Sequence, residues 1–318
     1  MDERDSKSRQ IVLITGASGF SGQHACRYFK SIGMDVVGIV HQKLTNTPSD
    51  GIRYYSCDLL DRVNLEETIR DIKPDYVLHL GGKNSVPEAW EKPLLYLESN
   101  VMATLFLLNA LRPFPSCRIL VAGSRLSFPL LPPYHPAHPY SLSKSLQSAG
   151  ALCWASLFGQ SVIIAEPSNL MGPGPSSGFC SLLGRHISGL ERGEVRMPFT
   201  LSSPKDRRDF LDVRDAVRAY ASLLFKGQQG STYQISSGID RTLFEAASLM
   251  IKLASCSVPL TWGQLDDSLK NNASQALEQP SAPEHLPITD WQPEIPIEQS
   301  FADILYYFRT EEEGRHAT

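Results

Sequence analysis

Short apolar runs alternate with segments of helical periodicity through the first half of the chain. Continuous runs rich in β-branched residues predict buried strands, and they lie at residues 10–16, 35–40, 52–57, 75–80, 117–123 and 161–166. Apolar residues at helical spacing predict helices at residues 22–32, 61–72, 93–111 and 139–158. Strands that are apolar throughout and alternate with helices are typical of a parallel sheet covered on both faces. The first half therefore predicts an α/β fold with a doubly wound parallel sheet.

The pattern becomes looser after Pro167. It predicts helices at residues 179–190, 213–225, 241–253 and within 291–308, a strand at 231–236, and loops at 171–178 and 264–289. We therefore expect a first domain over residues 1–166 and mainly a smaller C-terminal lobe over residues 167–318. Some segments of this lobe are expected to return to the first domain.

Composition and charge exclude several classes of protein. Of the 318 residues, 42% are hydrophobic and 20% are charged, which is the balance of an ordinary globular chain. The net charge of -4 gives no bulk attraction to nucleic acid or to an anionic membrane. No run of about 18 apolar residues predicts a membrane span, and the polar first ten residues are unlike a signal peptide. We expect a cytoplasmic protein that binds neither nucleic acid nor membrane.

The six cysteines are scattered along the chain without a CxxC pair. This spacing favours buried, reduced thiols over disulfides or a metal site. The cysteines are Cys26, Cys57, Cys117, Cys153, Cys180 and Cys256.

A glycine-rich stretch, TGASGFSG at residues 15–22, follows the first predicted strand and opens the first predicted helix. Gly16, Gly19 and Gly22 allow a tight turn and a close approach of backbone N–H groups to a pyrophosphate. The position at the first strand–helix junction predicts a dinucleotide site in a Rossmann-like unit. The alternative is a turn with a structural role alone.

The end of the second predicted strand bears on the choice of cofactor. It carries His41, Gln42 and Lys43 where an acid would bind the ribose 2′-hydroxyl of NAD(H). The missing carboxylate and the nearby Lys43 favour NADP(H), with NAD(H) possible and a solvated loop charge as the alternative for Lys43. Asp58, after the third strand, is placed to accept from the adenine amino group or to cap the next helix.

Three side chains with acid–base chemistry are spaced around the fifth strand and the helix after it. Ser124 ends the strand, and Tyr140 and Lys144 lie one helical turn apart at the start of the helix. A phenol titrates near ~10, so acid–base work near neutrality needs help from a nearby ammonium or from an oxidised nicotinamide. An isolated Tyr–Lys pair is more often a surface feature. Together with the glycine loop and Ser124, it predicts a dehydrogenase site.

Motifs along nearly the whole chain carry a resemblance to a known family. They are TGASGFSG, CDLLD, VLHLGGKNSV, ESNVMATLFLLNAL, GSRLSF, PYSLSK, EPSNLMGPGP, RRDFLDVRDAVRAY and DWQPEIPIEQSFADIL. The chain resembles the extended short-chain dehydrogenase/reductases, the NAD-dependent epimerase/dehydratase family, which act on nucleotide sugars. Within that family it is most similar to the GDP-4-keto-6-deoxy-mannose reductases. The resemblance implies a dinucleotide-binding domain followed by a substrate-binding lobe.

The resemblance also implies residue roles. Tyr140 would be the acid/base, Lys144 its helper and a ribose ligand, and Ser124 the third catalytic residue. The implied cofactor ligands are Gly16, Ser18, Gly19, Phe20, Gly22, His41, Lys43, Asp58, Leu59, Gly81 and Pro167. The implied substrate ligands are Ser85, Asn169, Arg185 and Arg208. Discrete arginines suit a diphosphate on an acidic protein, although a salt bridge from Arg208 to Asp206, Asp209 or Asp212 and a solvent-facing Arg185 are alternatives.

Several positions depart from the family's pattern. Sugar-nucleotide 4,6-dehydratases carry an acidic pair after the catalytic hydroxyl, and this chain has Arg125 and Leu126 there. Neither can perform acid–base elimination of water, so we expect no dehydratase. Phe128 replaces the usual Tyr, and Pro129 a common Gly. Glu166 replaces an Arg, which predicts a reshaped pocket, and residues 264–285 diverge where the nucleotide base is enclosed.

Three functions follow as expectations. The first is an NADPH-dependent reductase of a 4-keto(-6-deoxy) sugar nucleotide, with hydride transfer at C4 and Tyr140 giving the proton. The second is a nucleotide-sugar 4-epimerase with bound NAD, and the third a non-catalytic NADP-binding protein. Apolar residues on more than one face of the helices at 93–111 and 139–158 predict a homodimer, with the second lobe covering them as the alternative.

Overall fold

The computed structural model describes residues 9–42, 51–201, 203–263, 288 and 290–316. They divide into two compact units. The first unit holds the described part of residues 1–166 together with Tyr220–Tyr233. The second holds Pro167–Ala219 and most of the described residues after Tyr233.

The first unit alternates strands and helices. Its elements are β1 (Ile11–Thr15), α1 (Phe20–Ser31), β2 (Asp35–Val40), β3 (Arg53–Ser56), α2 (Arg62–Ile72), β4 (Tyr76–His79), α3 (Val86–Glu91), α4 (Pro93–Tyr96), a π-helical segment (Leu97–Met102), α5 (Ala103–Leu111), β5 (Arg118–Ala122), α6 (Pro139–Phe158) and β6 (Ser161–Pro167).

The remaining described elements are shorter strands and four longer helices. They are β7 (Asn169–Met171), α7 (Phe179–Glu191), β8 (Phe199–Leu201), β9 (Arg207–Asp212), α8 (Val213–Lys226), β10 (Thr232–Ile235), β11 (Asp240–Thr242), α9 (Leu243–Ile251), β12 (Leu260–Trp262) and α10 (Ile297–His316). The elements α8 and β10 each begin in one unit and end in the other.

The main sheet has seven strands in the order β3–β2–β1–β4–β5–β6–β10. The five neighbouring pairs from β3 to β6 are parallel. Ile14 of β1 lies opposite Gly38 of β2 on one side and Leu78 of β4 on the other. The chain reverses its direction of winding between β1 and β4, and ligands of such sheets bind beyond the carboxyl ends of the strands there. The predicted fold class is confirmed.

Burial on both faces explains the continuous apolar strands. Leu13, Val77 and Val121 belong to one core cluster, and the alternating positions Ile14, Leu78 and Leu120 are also 0% exposed. Fully burying a side chain of this kind stabilises the folded state by about 1.5–3 kcal/mol. The sheet is therefore a rigid platform for the loops at its carboxyl edge.

The helical stretch Pro93–Leu111 is long and apolar enough, by length and composition alone, to cross a membrane. However, Leu107, Leu108 and Leu111 are 0% exposed and belong to the core cluster of the main sheet. A helix with this burial packs in a protein core. The structure therefore describes it as a core helix of the first unit, interrupted by its π-helical segment.

The second unit has its own core between helices and two small sheets. The sheets have the orders β11–β9–β7 and β12–β8, and the core includes Leu183, Met250, Phe301 and Ile304. A Cβ on Gly184 of α7 would come within 2.6 Å of Ile304 Cγ2, so this glycine lets α7 and α10 pack closely. The strands β7, β8, β9, β11 and β12 and the helix α3 were not predicted, because they are short and several are charged.

Candidate active site

Three predicted side chains lie together in the first unit. Ser124 follows β5 by two residues, and Tyr140 and Lys144 lie in the first turns of α6. Each residue is 7% exposed, and the Ser124 hydroxyl interacts with the Tyr140 phenol. Because β5 pairs in parallel with β4 and β6, Ser124 lies at the sheet edge where α/β folds bind ligands.

The way α6 begins fixes Tyr140. The His138 ring Nδ1 accepts a hydrogen bond from the Ser141 N–H at 2.9 Å, and the Ser141 hydroxyl donates to the His138 carbonyl at 2.9 Å. Pro139 follows in the first turn, where its missing N–H costs nothing. The His138 ring stacks on the Tyr140 ring at 5.8 Å, and Tyr96 meets it edge-on at 6.2 Å. Sequence reasoning missed both aromatic neighbours, although the His–Pro pair at the helix start was a readable cap signal.

The protein alone does not lower the pKa of Tyr140. Burial raises this pKa, the Ser124 hydroxyl opposes the shift, and the nearby Tyr96 adds to it. Burial outweighs the Ser124 contact in this shift, and the expected help from the Lys144 ammonium and an oxidised nicotinamide stays a prediction. A protonated phenol is the form that a proton donor needs near neutral pH.

Lys144 and Glu166 are two buried charges of opposite sign near each other. Burial lowers the pKa of Lys144 to about 8, and Glu166 partly opposes this shift. Burial raises the pKa of Glu166 to about 7, opposed by the Ser127 hydroxyl and by Lys144. The two shifts have one cause, since desolvation disfavours the charged form of either group. The site therefore holds two groups that titrate near neutral pH.

Glu166, the departure from the family's arginine, lies at the end of β6 against Gly123. A Cβ on Gly123 would come within 3.0 Å of Glu166 Cγ and 3.2 Å of Ser148 Oγ. Glycine is therefore what allows the carboxylate side chain to pack one residue from Ser124. Glu166 is 8% exposed, so the reversed charge is a buried feature of the site.

Asn100 supplies a fixed amide from the π-helical segment. Its Oδ1 accepts from the Lys83 N–H at 2.8 Å, and its Nδ2 donates to the Lys83 carbonyl at 3.1 Å and to Ser143 Oγ at 2.9 Å. Single π-helical turns are frequent at functional sites. Here the turn ties the loop after β4 to α6, between Tyr140 and Lys144.

The glycine loop joins β1 to α1 and fits an anion. Gly16 has a φ of 67°, and a Cβ on Gly22 would come within 2.0 Å of the Gly16 carbonyl oxygen, so neither position accepts a side chain. Gly19 precedes α1 without a side-chain cap, and the first turn has no acidic residue. The N–H groups at this helix end can therefore bind the pyrophosphate of a dinucleotide.

Gly81 packs directly against this loop. A Cβ on Gly16 would come within 2.9 Å of the Gly81 nitrogen. A Cβ on Gly81 would come within 3.1 Å of Thr15 Oγ1 and 3.2 Å of Leu59 Cδ1. The structure thus brings together three of the predicted cofactor residues where β1 and β4 end.

The remaining predicted cofactor residues have local contacts. The Ser18 carbonyl accepts from Gln23 Nε2 at 2.9 Å, and the Phe20 ring packs edge-on against His24 at 5.5 Å. Pro167 is the last residue of β6. Their assignment to a cofactor continues to rest on the sequence resemblance.

The structure describes only part of the loop after β2, on which the predicted choice of cofactor depends. Lys43 lies outside the described residues. His41 is exposed, and its Nδ1 lies 3.9 Å from Asp58 Oδ1. Asp58 accepts from the Leu60 N–H at 2.9 Å, whereas the cap of α2 is Asp61. The alternative in which Asp58 caps α2 is therefore wrong.

Two of the predicted substrate ligands have neighbours that give them structural roles. Ser85 caps α3, because its hydroxyl accepts from the Glu88 N–H at 3.3 Å. Arg185 is exposed on α7, and its guanidinium lies 5.2 Å from the centre of the Phe308 ring. The alternative of a solvent-facing Arg185 thus agrees with its exposure.

Asn169 and Arg208 lie on neighbouring strands of the second unit. Asn169 Nδ2 donates to the Asp209 carbonyl at 3.0 Å, next to Arg208 on β9. The Arg208 guanidinium lies 3.4 Å from the Asp206 carboxylate, and the two side chains are 43% and 41% exposed. The salt-bridge alternative therefore applies to Asp206, and in this loose form it leaves Arg208 accessible to a ligand.

Arg125 and Leu126 directly follow Ser124 and are both exposed. Neither side chain can exchange a proton near neutral pH. Ser124, Tyr140 and Lys144 can orient an oxygen, donate a proton and hold positive charge. When bound, a nicotinamide dinucleotide supplies the hydride. In the part of the chain that the structure describes, no cluster of His, Cys, Asp or Glu is arranged to hold a metal ion.

Comparisons with known proteins agree with this geometry. A GDP-6-deoxy-D-mannose reductase of Pseudomonas aeruginosa is 30% identical over 93% of this chain and 96% of its own length. A probable dTDP-glucose 4,6-dehydratase of Sinorhizobium fredii is 28% identical over 70% of each chain. The similarity thus extends to relatives with different reactions.

Among solved structures, RMD from Pseudomonas aeruginosa complexed with NADPH matches with a TM-score of 0.74 and 27% identity, covering 95% of this chain and 99% of that one. A UDP-glucose 4-epimerase of Thermus thermophilus shares the fold, with a TM-score of 0.76, 20% identity and coverage of 95% and 100%. The model of the NAD dependent epimerase/dehydratase family matches residues 12–236. With its glycine loop and its buried Ser–Tyr–Lys set, the chain belongs to this family of enzymes, as its motifs predict.

Proposed function

We propose that this protein is an NADPH-dependent reductase of a 4-keto(-6-deoxy) sugar nucleotide. The observation that carries the proposal is the burial of Ser124, Tyr140 and Lys144 together, with Arg125 and Leu126 in the positions where a dehydratase needs acids. The relative named GDP-6-deoxy-D-mannose reductase, which matches over nearly its whole length, supports the same reaction.

The protonation states suit a reduction. Burial raises the pKa of Tyr140, so the phenol holds its proton and can give it to the oxygen that develops at C4. The Ser124 hydroxyl is close enough to interact with the phenol and would hold the same oxygen. Lys144, with its pKa lowered to about 8, is charged at neutral pH and stabilises negative charge on that oxygen.

The cofactor of the proposal is NADPH, with NADH as the alternative. The residues that follow β2 in the sequence, His41, Gln42 and Lys43, include no acid to repel a 2′-phosphate, and His41 is exposed. The structure of RMD complexed with NADPH supports this preference. Relatives of the same fold complexed with NAD keep the alternative open.

A nucleotide-sugar 4-epimerase with bound NAD is the second candidate function. It is favoured by a UDP-glucose 4-epimerase of Mycoplasma pneumoniae that is 31% identical over 44% of this chain, and the same three side chains would serve it. A non-catalytic NADP-binding protein is less consistent with a complete, buried Ser124, Tyr140 and Lys144 set.

The test is NADPH oxidation followed at 340 nm with GDP-4-keto-6-deoxy-mannose, and with other 4-keto-6-deoxy sugar nucleotides in parallel. We expect stoichiometric consumption of NADPH, and a loss of about 10²–10⁴-fold in kcat for Tyr140→Phe with NADPH binding retained. Purification with tightly bound NAD and turnover of UDP-glucose without added cofactor would favour the epimerase. Equal activity of Tyr140→Phe would refute the role of the phenol.

We also propose a cytoplasmic homodimer. Met102, Leu157 and Phe158 are 40%, 75% and 40% exposed, and they lie on the two helical stretches whose excess apolar surface predicts a partner. Sedimentation of the purified protein would give the mass of two chains, and Leu157→Glu would shift it toward one.

A further inference from the structure

Lys144 is held by two hydrogen bonds within the first unit. Its Nζ donates to the Ala122 carbonyl and to Gln147 Oε1, each at 2.8 Å. An ammonium has three N–H groups, so these partners leave one of the three for a ligand. The direction of that remaining N–H is set by where the two acceptors lie.

Gln147 is buried and held in one orientation. It is 1% exposed, and its Nε2 donates to Thr104 Oγ1 at 2.8 Å. Because the amide nitrogen can only donate and the ammonium can only donate, the amide oxygen must face Lys144. The side chain therefore presents a fixed acceptor to the ammonium.

Thr104 fixes Gln147 in turn. The Thr104 hydroxyl donates its single proton to the Asn100 carbonyl at 2.6 Å, so it accepts from both of its other neighbours. One is Gln147, and the other is the His79 ring, whose Nε2 lies 2.8 Å away. His79 must therefore carry its proton on Nε2.

The same assignment of hydrogen-bond donors and acceptors extends to the glycine loop. Burial lowers the pKa of His79 to about 3, so the ring is neutral and its Nδ1 is an acceptor. Thr15 Oγ1, 2.7 Å from Nδ1, must donate to it. Thr15 itself accepts from the Gly81 N–H at 3.0 Å. Each hydroxyl and ring proton thus has one consistent position.

We propose that Gln147 is a positioning residue for the reaction, which holds the Lys144 ammonium in place through a chain of hydrogen bonds anchored beside the glycine loop. The proposal deepens the proposed function and rests on it. Gln147 is 1% exposed and its amide is engaged with Lys144 and Thr104, so it would act through Lys144, and an amide does not relay protons. Its action is to keep one N–H of Lys144 aimed at a ligand and to stabilise the charged form of the amine.

Three titratable side chains face Lys144 and enter its pH dependence. Glu166 at the end of β6 and His79 on β4 interact electrostatically with it, and Tyr140 lies one helical turn before it on α6. The His79 ring stays neutral above pH about 3. The pKa of Glu166 is about 7, below that of Lys144, and burial raises the pKa of Tyr140 above its usual value. A shift in the titration of Lys144 is therefore separable from theirs.

The test uses two substitutions that shift the pKa of Lys144 in opposite directions. Gln147→Leu removes the acceptor and lowers the pKa of Lys144, whereas Gln147→Glu adds a negative charge and raises it. We expect the alkaline fall of kcat to move by about one pH unit to lower pH in the first variant and to higher pH in the second. We expect kcat of Gln147→Leu at pH 7 to fall about tenfold, with KM for the sugar nucleotide changed much less.

The matched control is Gln160→Leu, another buried glutamine of the first unit, whose Nε2 donates to the Leu108 carbonyl at 2.9 Å. It should lose stability as Gln147→Leu does and leave the pH profile unchanged. Identical profiles for Gln147→Leu, Gln147→Glu and wild type, or shifts in one common direction, would overturn the proposal. If Gln147→Leu does not fold, the alkaline shift of Gln147→Glu alone decides.

Binding of NADPH over pH 6–10, followed by its fluorescence, separates this proposal from the proposed function. We expect the affinity of wild type to fall as Lys144 loses its proton, with the two Gln147 variants displaced in opposite directions. This readout needs no sugar substrate. Failure to reduce any 4-keto sugar would therefore refute the function while the role of Gln147 was still decided by binding.

Discussion

Both units bury charged side chains, but the two units differ in how fully these charges are compensated by hydrogen-bond partners. In the first unit, burial shifts the pKa of Lys144 to about 8 and of Glu166 to about 7, each toward the neutral form. In the second unit, Asp209, Asp212 and Asp215 are at most 3% exposed, and each carboxylate accepts several hydrogen bonds. The buried charges of the first unit are thus incompletely compensated, whereas the buried carboxylates of the second unit are saturated with hydrogen-bond partners.

Asp215 shows the saturated case. Its Oδ1 accepts from Arg218 at 2.6 Å, and its Oδ2 accepts from the backbone N–H groups of Glu294 and Ile295 at 3.0 and 2.9 Å. Asp212 likewise accepts from two nitrogens of the Arg214 guanidinium and from Ser300. Such carboxylates fasten α8 and α10 within the second unit.

The contrast separates function from structure in a chain rich in charged motifs. Removing a fully paired buried carboxylate leaves its partners unsatisfied and destabilises the fold, and its oxygens are already engaged as hydrogen-bond acceptors. A buried lysine with one N–H to spare, beside a carboxyl that titrates near neutral pH, costs stability and can act on a ligand. A structural buried charge therefore differs from a functional one in whether its hydrogen bonds are saturated, and not in whether it is buried.

The largest expected effect is the loss of a saturated carboxylate. Asp215→Ala leaves two backbone N–H groups without their acceptor and Arg218 without its buried partner. We expect the free energy of unfolding to fall by about 4 kcal/mol. Urea unfolding followed by tryptophan fluorescence measures this, and Trp291, which donates to the Asp215 carbonyl at 2.9 Å, is a nearby reporter.

The matched control for Asp215→Ala is Asp206→Asn. Asp206 is 41% exposed and lies 3.4 Å from Arg208, so its loss should cost at most about 1 kcal/mol. Asp215→Asn keeps one carbonyl acceptor, so its loss of unfolding free energy should lie between those of Asp215→Ala and Asp206→Asn. Equal losses for the exposed and the buried positions would remove the basis of the comparison.

The two units also differ in how much of them the sequence predicts. The helix α6 and the strand β2 have their predicted bounds, because long periodic segments and continuous apolar runs reflect burial directly. The strand β9 has the sequence RRDFLD, which matches no strand pattern. It pairs with β7 and β11, and its Asp209 and Asp212 accept hydrogen bonds from residues distant in sequence, Ser237 and Ser300.

The candidate site shows the same limit. The spacing of Ser124, Tyr140 and Lys144 predicts which side chains meet, since strand ends and helical turns are local rules. Gln147 lies three residues after Lys144 on the same helix, so its contact was readable in principle. The contact to Thr104 depends on packing between helices and could not be read from spacing.

A smaller effect, opposite in sign between the units, is expected for two glutamates. The folded-state pKa of Glu166 is raised from 4.5 to about 7, so its contribution to stability is lost as pH rises through that interval. Relative to wild type, the free energy of unfolding of Glu166→Gln should therefore rise by about 2.5 kcal/mol between pH 5 and pH 8. Unfolding in urea at the two pH values measures this change.

Glu191 in the second unit is the control for Glu166. Hydrogen bonds from Arg309 lower its pKa to about 2, so its stabilisation is present above pH 4.5 and is lost as pH falls toward 2. Glu191→Gln should therefore be less stable than wild type at pH 8. The difference in unfolding free energy between Glu191→Gln and wild type should stay nearly constant between pH 5 and pH 8, because the folded-state pKa of about 2 lies below this interval. A change over this interval as large as that of Glu166→Gln would contradict the assignment of opposite roles.

The smallest effect on stability is expected for Arg208, the loosely paired arginine of β9. Arg208→Gln should change the free energy of unfolding by less than about 1 kcal/mol, because its partner Asp206 is exposed. If Arg208 binds the diphosphate of the substrate, KM for the sugar nucleotide should rise about tenfold, equivalent to about 1.4 kcal/mol. Arg218→Gln is the opposite case, since it breaks the pair with the buried Asp215 and should cost about 3 kcal/mol with KM unchanged. A large loss of stability in Arg208→Gln with an unchanged KM would show that Arg208 has a structural role like that of Arg218. The diphosphate of the substrate would then have to be bound by another residue.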